Sequence, residues 1–250
     1  FSVLTMFIAI ILALIEVDSK RILAYSTIES LSFMFIAVAT SNPNGAFFYL
    51  IAHGITKVSL FMSVAILTVF FGTRDIYKLK ELGVRNYKTF IPALICVLSL
   101  SSIPPFIGFF GHVAFSYNFD LTEEILFSFI NYLTALFAFR FLFVIYAKRT
   151  KRLIIYDIYT NLSLIIIMFL VIFGGFSIYT IHAVTIPVYL NMFLVIDVIA
   201  SLLGIFTAYM FYYKQDLKFN YISRLSKNLS FDSALNRRGF LLFFCLFVFI

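Results

Sequence analysis

The sequence predicts an all-α polytopic membrane protein of about seven transmembrane helices, one of them broken by proline. Three observations predict it. Hydrophobic residues make up 62% of the 250 residues and charged ones 12%, with a mean hydropathy of +1.03, more than a soluble core of this size requires. The apolar residues fall into segments at 1–16, 22–40, 46–71, 89–118, 125–147, 161–183 and 189–213, each near the ~20 residues of a spanning helix. Charge then keeps to one side. If every segment crosses once, all 19 Lys and Arg except Lys57 and Arg140 lie on alternate connections, within 17–21, 72–88, 148–152 and 214–238. That is the asymmetry of a cytoplasmic or matrix face.

The opposite connections carry Ser41-Asn42-Pro43-Asn44-Gly45, the acids Asp120, Glu123 and Glu124, and a short link near Thr185. The net charge of +7 follows from this asymmetry, so it implies no nucleic-acid partner. Cys96 and Cys245 sit in apolar runs with no Cys-x-x-Cys, which indicates core packing rather than a disulfide framework or a metal site.

Taken in order, the first segment ends at Glu16-Val17-Asp18, and Ser19-Lys20-Arg21 makes a tight interfacial turn. In the second, Ser26, Glu29, Ser30 and Phe33 recur at helical spacing as a polar stripe toward one neighbour. A carboxylate at that depth costs on the order of 2.5–3.5 kcal/mol. Glu29 therefore faces protein or water, either as a hydrogen-bonded structural acid or as a functional one. In the third segment Tyr49, His53 and Lys57 recur every four residues and line one face. A phenol, an imidazole and a costly buried amine in file are what a proton relay needs; a lysine that only anchors a neighbouring carboxylate is the structural alternative.

The fourth segment breaks at Pro104 and Pro105, whose rings and missing N–H groups leave the carbonyls of Leu100 and Ser101 without intrahelical partners. Such a break is tolerated at membrane depth where protein or a water-filled cavity re-satisfies the backbone, and transporters build ion sites there. His112 follows within two turns, placed to accept a proton handed on from Lys57, or there incidentally. The fifth segment carries Arg140, expected to snorkel toward the basic end and pair structurally, because a guanidinium does not release its proton. Gly174-Gly175 in the sixth suits close packing, and His182 lies at its acidic-side end. Asp197 in the seventh is expected to pair with another helix or with a separate subunit. Beyond it a basic tail should lie along the basic face, with a further apolar run at 240–250.

The run Asp18-Ser19-Lys20-Arg21-Ile22-Leu23-Ala24-Tyr25-Ser26-Thr27-Ile28 resembles the D-x-K-[RK]-[IVL]-L-A-Y-S-T-[IM] signature of the antiporter-like subunits of respiratory complex I. His53-Gly54-Ile55-Thr56-Lys57 is similar to that family's histidine and lysine four apart, and Ile103-Pro104-Pro105-Phe106-Ile107-Gly108-Phe109-Phe110 to its I-P-P-x-x-G-F-F break. Thr134-Ala135-Leu136-Phe137-Ala138-Phe139-Arg140 and Ser226-Lys227-Asn228-Leu229-Ser230-Phe231-Asp232 resemble its subunit 5 branch most.

The resemblance implies a fold of two inverted repeats, each with one broken helix. On it, 1–148 is the second repeat with its break at 103–112, 149–213 adds two C-terminal helices, and 214–250 is a basic amphipathic tail. The chain then reads as the C-terminal part of a split subunit, with a separate chain carrying the first repeat. The implied function is a proton-translocating membrane-arm subunit of mitochondrial complex I in the inner membrane, basic loops toward the matrix, coupling NADH:ubiquinone oxidoreduction to proton pumping. Its partners would be the other membrane-arm subunits and the lipid bilayer. No cofactor is expected in this chain; NADH, FMN, iron–sulfur clusters and ubiquinone belong to other subunits. Lys57 is implied as the proton-storing amine, His53 as its relay and His112 as terminal carrier, with Glu29 and Tyr49 completing the set.

Departures from the pattern carry their own expectations. The family has a histidine at the position of Tyr49, and a lysine followed by an acid at those of His112 and Val113. His112 is thus expected to have lost its charge partner, with Glu29 as a substitute acid from a neighbouring helix. A degenerate half-channel kept as a scaffold and a stand-alone Mrp-type cation/proton antiporter subunit are the alternatives.

Overall fold

Short polar caps decide where each apolar helix of this chain ends and the next begins. The computed structural model describes residues 1–82, 87–116, 119–146, 158–182 and 192–214. Helix α1 (Ser2–Ile15) gives way at Glu16-Val17-Asp18 to α2 (Ser19–Ala39). The Asp18 carboxylate accepts from the N–H groups of Lys20 and Arg21 at 2.8 and 3.2 Å, satisfying donors that a helix start leaves orphaned. Helix α3 (Pro43–Phe71) starts on a proline, which tolerates a first-turn position. It is capped by Asn42, whose Oδ1 accepts from Gly45 N–H at 2.9 Å, and it stops at Gly72 in the left-handed region. Within the stretch 72–88, read from sequence as a plain loop, α4 (Ile76–Leu82) forms a short helix started by Asp75, which accepts from Tyr77 N–H at 2.9 Å.

Helices α5 (Tyr87–Leu100) and α6 (Ile107–Ser116) are the two halves of the broken segment. The halves are joined by serines. Ser102, at φ 52°, donates its N–H to the Ser99 carbonyl, and Ser99 Oγ accepts from Gly108 N–H at 3.0 Å. Gly108 lies so close to the Ser99 carbonyl that a Cβ there would collide with it. Helix α7 (Leu121–Ile145) begins where Glu123 reaches back to Asp120 N–H. Helices α8 (Ile158–His182) and α9 (Met192–Ala208) follow, with a π-helical turn over Tyr209–Lys214. The expected basic tail and the run at 240–250 lie outside the described residues beyond Lys214, as does Cys245.

Among the described residues the architecture is all-α. Helices α2, α3, α7, α8 and the stretch Val195–Tyr213 are each long and apolar enough to cross a membrane, while α1, α5 and α6 are shorter apolar helices. Helix α3 is central, packed on α2, α5, α6 and α8, while α7 packs on α9, α5 and α1. Two tertiary clasps agree with the charge alternation. Ser19 N–H donates to Arg74 O and Ile76 N–H to Val17 O, joining two basic-side connections. Asn42 Nδ2 donates to the carbonyls of Ala114 and Phe115 at 2.9 and 3.0 Å, joining two connections of the opposite side.

Arg140 does not snorkel. It is 2% exposed, and its guanidinium donates to the carbonyls of Ala13 and Glu16 at 3.1 and 2.9 Å. Those are orphan acceptors at the negative end of α1, where a cation is favoured.

Candidate functional site

The four-residue spacing along α3 delivers Tyr49, His53 and Lys57 to one buried face against α2 and the helix break. Lys57 is 5% exposed, and its ammonium donates to Ser26 Oγ at 2.6 Å and Leu23 O at 3.3 Å, both on α2. The polar stripe of α2 faces two neighbours rather than one. Ser26 turns to α3, whereas Glu29, 1% exposed, accepts from Thr134 Oγ1 of α7 at 2.8 Å and from Ser30 Oγ at 3.3 Å. Tyr49, 9% exposed, lies on the same face of α3 and packs against Phe33 of α2. Glu29 and Lys57 act on each other electrostatically across the α2–α3 interface, so an acid and a base share one buried centre laced by hydroxyls.

His53 belongs to that file but faces elsewhere. Its ring stacks beside Tyr49 at 6.3 Å between centroids, and its Nε2 has no hydrogen-bond partner within the chain. It lines a small cavity with Tyr49, Thr56, Ser99, Ser102 and Gly108, at the break between α5 and α6. Thr56 and Ser99 share a hydrogen bond of 3.1 Å in its wall. Pro104 and Pro105 make the break but do not themselves line the cavity.

His112 stands in a second centre. Its Nδ1 lies 3.4 Å from Asp197 Oδ2 on α9, both residues buried. Asp197 also accepts a short hydrogen bond from the Ser128 hydroxyl of α7, and Asn131 Nδ2 donates to Ser201 Oγ at 2.9 Å and to Asp197 O at 3.4 Å. Glu124 completes the group within hydrogen-bonding reach of Asp197. The acid beside His112 is therefore Asp197, which corrects the expectation that Val113 leaves the histidine without a charge partner and that Glu29 replaces it.

Lys57, Glu29 and Tyr49 thus come together, and among the described residues no hydrogen bond or ion pair joins His53 to His112. Phe33 lies between the centres, with centroids 5.7 Å from Tyr49 and 6.0 Å from His112, backed by Phe115 and Phe127 at 5.3 and 5.2 Å. Thr134, Ser128, Asn131 and Ser201 were not singled out from the sequence, and Glu124, read there as an acid of the opposite connection, lies inside α7. Their signal was present as Glu124-x₃-Ser128-x₂-Asn131 on one face of α7 and Asp197-x₃-Ser201 on one face of α9.

Residues 1–138 match the family model described as NADH:quinone oxidoreductase/Mrp antiporter, TM. The NADH-quinone oxidoreductase subunit L of Buchnera aphidicola subsp. Schizaphis graminum is 30% identical over 248 residues, covering 91% of this chain and 40% of that protein. NADH-ubiquinone oxidoreductase chain 5 of Cryptococcus neoformans var. grubii is 36% identical over 111 residues, covering 43% of this chain and 16% of its own. The chain thus spans less than half the length of these relatives. Among solved structures, the Mrp complex from Dietzia sp. DQ12-45-1b shares the fold, with a TM-score of 0.64 over 92% of this chain and 27% of that one at 20% identity.

Proposed function

The chain belongs to the NADH:quinone oxidoreductase/Mrp antiporter transmembrane family, and from that premise we propose that it is a proton-translocating membrane-arm subunit of respiratory complex I. We place it in the mitochondrial inner membrane with its basic loops toward the matrix. Lys57 carries this reading: an amine 5% exposed inside the 29-residue α3, bonded to Ser26 and opposed by Glu29. With a hydroxyl and a carboxyl as neighbours, such an amine holds a proton in hydrocarbon and yields it when a nearby charge moves.

In this reading Lys57 stores the proton, His53 takes it through the cavity at the helix break, and His112 receives it. Glu29 sets the field at Lys57, and Tyr49 packs beside them on the same face of α3. The stretch 1–148 acts as one antiporter-like repeat, with 149–213 as added helices. NADH, FMN, iron–sulfur clusters and ubiquinone stay with other subunits, and this chain moves protons without a redox group of its own.

The test is Lys57→Met in native membranes, with proton uptake and NADH oxidation measured together. Pumping should fall more than oxidation. Equal loss of both would make Lys57 an assembly residue and overturn the reading. The Phe33 ring between the two centres favours a second reading, a structural half-channel; unchanged pumping after loss of both Lys57 and His112 would establish it. Sodium-dependent antiport independent of NADH would assign a stand-alone Mrp-type transporter instead.

A further inference from the structure

His112, Asp197 and Glu124 come from three different helices and meet in one covered place, none more than 4% exposed. The geometry points to Glu124 and Asp197 as a terminal carboxyl pair that takes the proton from His112 and releases it at the face opposite the basic loops. This inference rests on the proton-translocating reading above.

The pair is built rather than accidental. Gly204 brings α9 so close to α7 that a Cβ would collide with the Tyr132 carbonyl, and Asn131 locks the register through Ser201 and the Asp197 carbonyl. Ser128 then holds one oxygen of Asp197 while the other, Oδ2, faces His112 Nδ1 and has no hydrogen bond of its own. The second ring nitrogen of His112, Nε2, is buried and unpartnered within the chain, as a group that accepts an arriving proton must be. Two carboxyls that meet in this way, one from α7 and one from α9, are the arrangement in which a single proton is shared. Glu124 lies one turn inside the start of α7, where Asp120 and Thr122 are exposed. That places it at the solvent end of the set.

The step balances as follows. A proton arriving at Nε2 makes the imidazolium; the Nδ1–H bond breaks and an O–H bond forms on Asp197 Oδ2. The proton already in the pair leaves from Glu124 to water beside Asp120. The imidazole is left neutral with its proton on Nε2, so the ring must rotate to bring that N–H to Asp197 before the next proton arrives, and the pair holds one proton before and after.

The test uses the assembled complex in native membrane vesicles carrying Glu124→Gln, Asp197→Asn or Lys57→Met. The two amides keep the shape of the carboxyls and remove their proton exchange. Each should lower proton yield per NADH by the same fraction as Lys57→Met, and combining either with Lys57→Met should add nothing, because all interrupt one path. Asp197→Glu should recover part of the yield. If Lys57→Met loses pumping while both amide variants keep it, the carboxyl pair is no station and only this inference falls. If Lys57→Met itself pumps normally, the reading beneath it falls too. Loss of assembled complex in both amide variants would make the pair a clamp between α7 and α9 and overturn the inference.

Discussion

The two buried centres solve the same problem with different chemistry. At the first, Lys57 on α3 is opposed by Glu29 on α2, with Ser26, Ser30 and Thr134 supplying hydroxyls between and around them. At the second, His112 on α6 meets Asp197 on α9, with Ser128 and Glu124 from α7. A lysine brings a charge that must be opposed wherever it stays protonated, whereas an imidazole can sit neutral in apolar surroundings. The acid at the first centre is therefore an obligation of the base. At the second it is an addition whose benefit is proton exchange. Helix pairs nearby in sequence build the first centre, and a helix from beyond the matched family region completes the second.

Perturbing each centre should expose that difference. The largest effect is expected from Glu29→Leu, which leaves the Lys57 amine buried without its acid. A buried amine left without a counter-charge is costly, so less assembled complex should be recovered on a native gel. The double variant Glu29→Leu with Lys57→Leu should assemble again, since apolar groups replace a buried pair at small cost. If Glu29→Leu alone assembles normally, the two residues do not form one centre.

Asp197→Ala should cost less, about 1–3 kcal/mol from the unmet Ser128 hydroxyl and the freed α9 contact, because His112 can stay neutral. Thermal inactivation of the complex would measure it; a loss as large as that of Glu29→Leu would show that His112 is held charged. The smallest effect belongs to Tyr49→Phe, which removes only a hydroxyl, about 0.5–1.5 kcal/mol. Pumping should survive it. Loss of pumping with stability intact would place the phenol itself in the path and join the two centres across Phe33.

Much of this fold was legible before any coordinates. Pro104 and Pro105 announced the break because a missing N–H is a property of the residue, and the segments announced themselves because a bilayer demands length and apolarity. The file of Tyr49, His53 and Lys57 followed from helical period alone. Arg140 was legible as a residue that does not carry protons but not as the cap of α1, and Glu29 as a buried acid but not as the acceptor of Thr134. Those partners lie on helices far along the chain. Helix α4 escaped because seven residues carry too little periodicity to separate from a loop.

By itself the sequence determined the class and the buried base on α3, since composition and period are local quantities. Only the tertiary structure decided that α2 splits its polar residues between two neighbours, that Phe33 parts the centres, and that Asp197 stands beside His112. Period specifies which face of a helix a residue occupies, but the helix that meets this face is chosen by packing, and in a bundle of apolar segments many pairings satisfy the same pattern. Close contacts such as Gly204 on Tyr132 and Gly108 on Ser99 select among them.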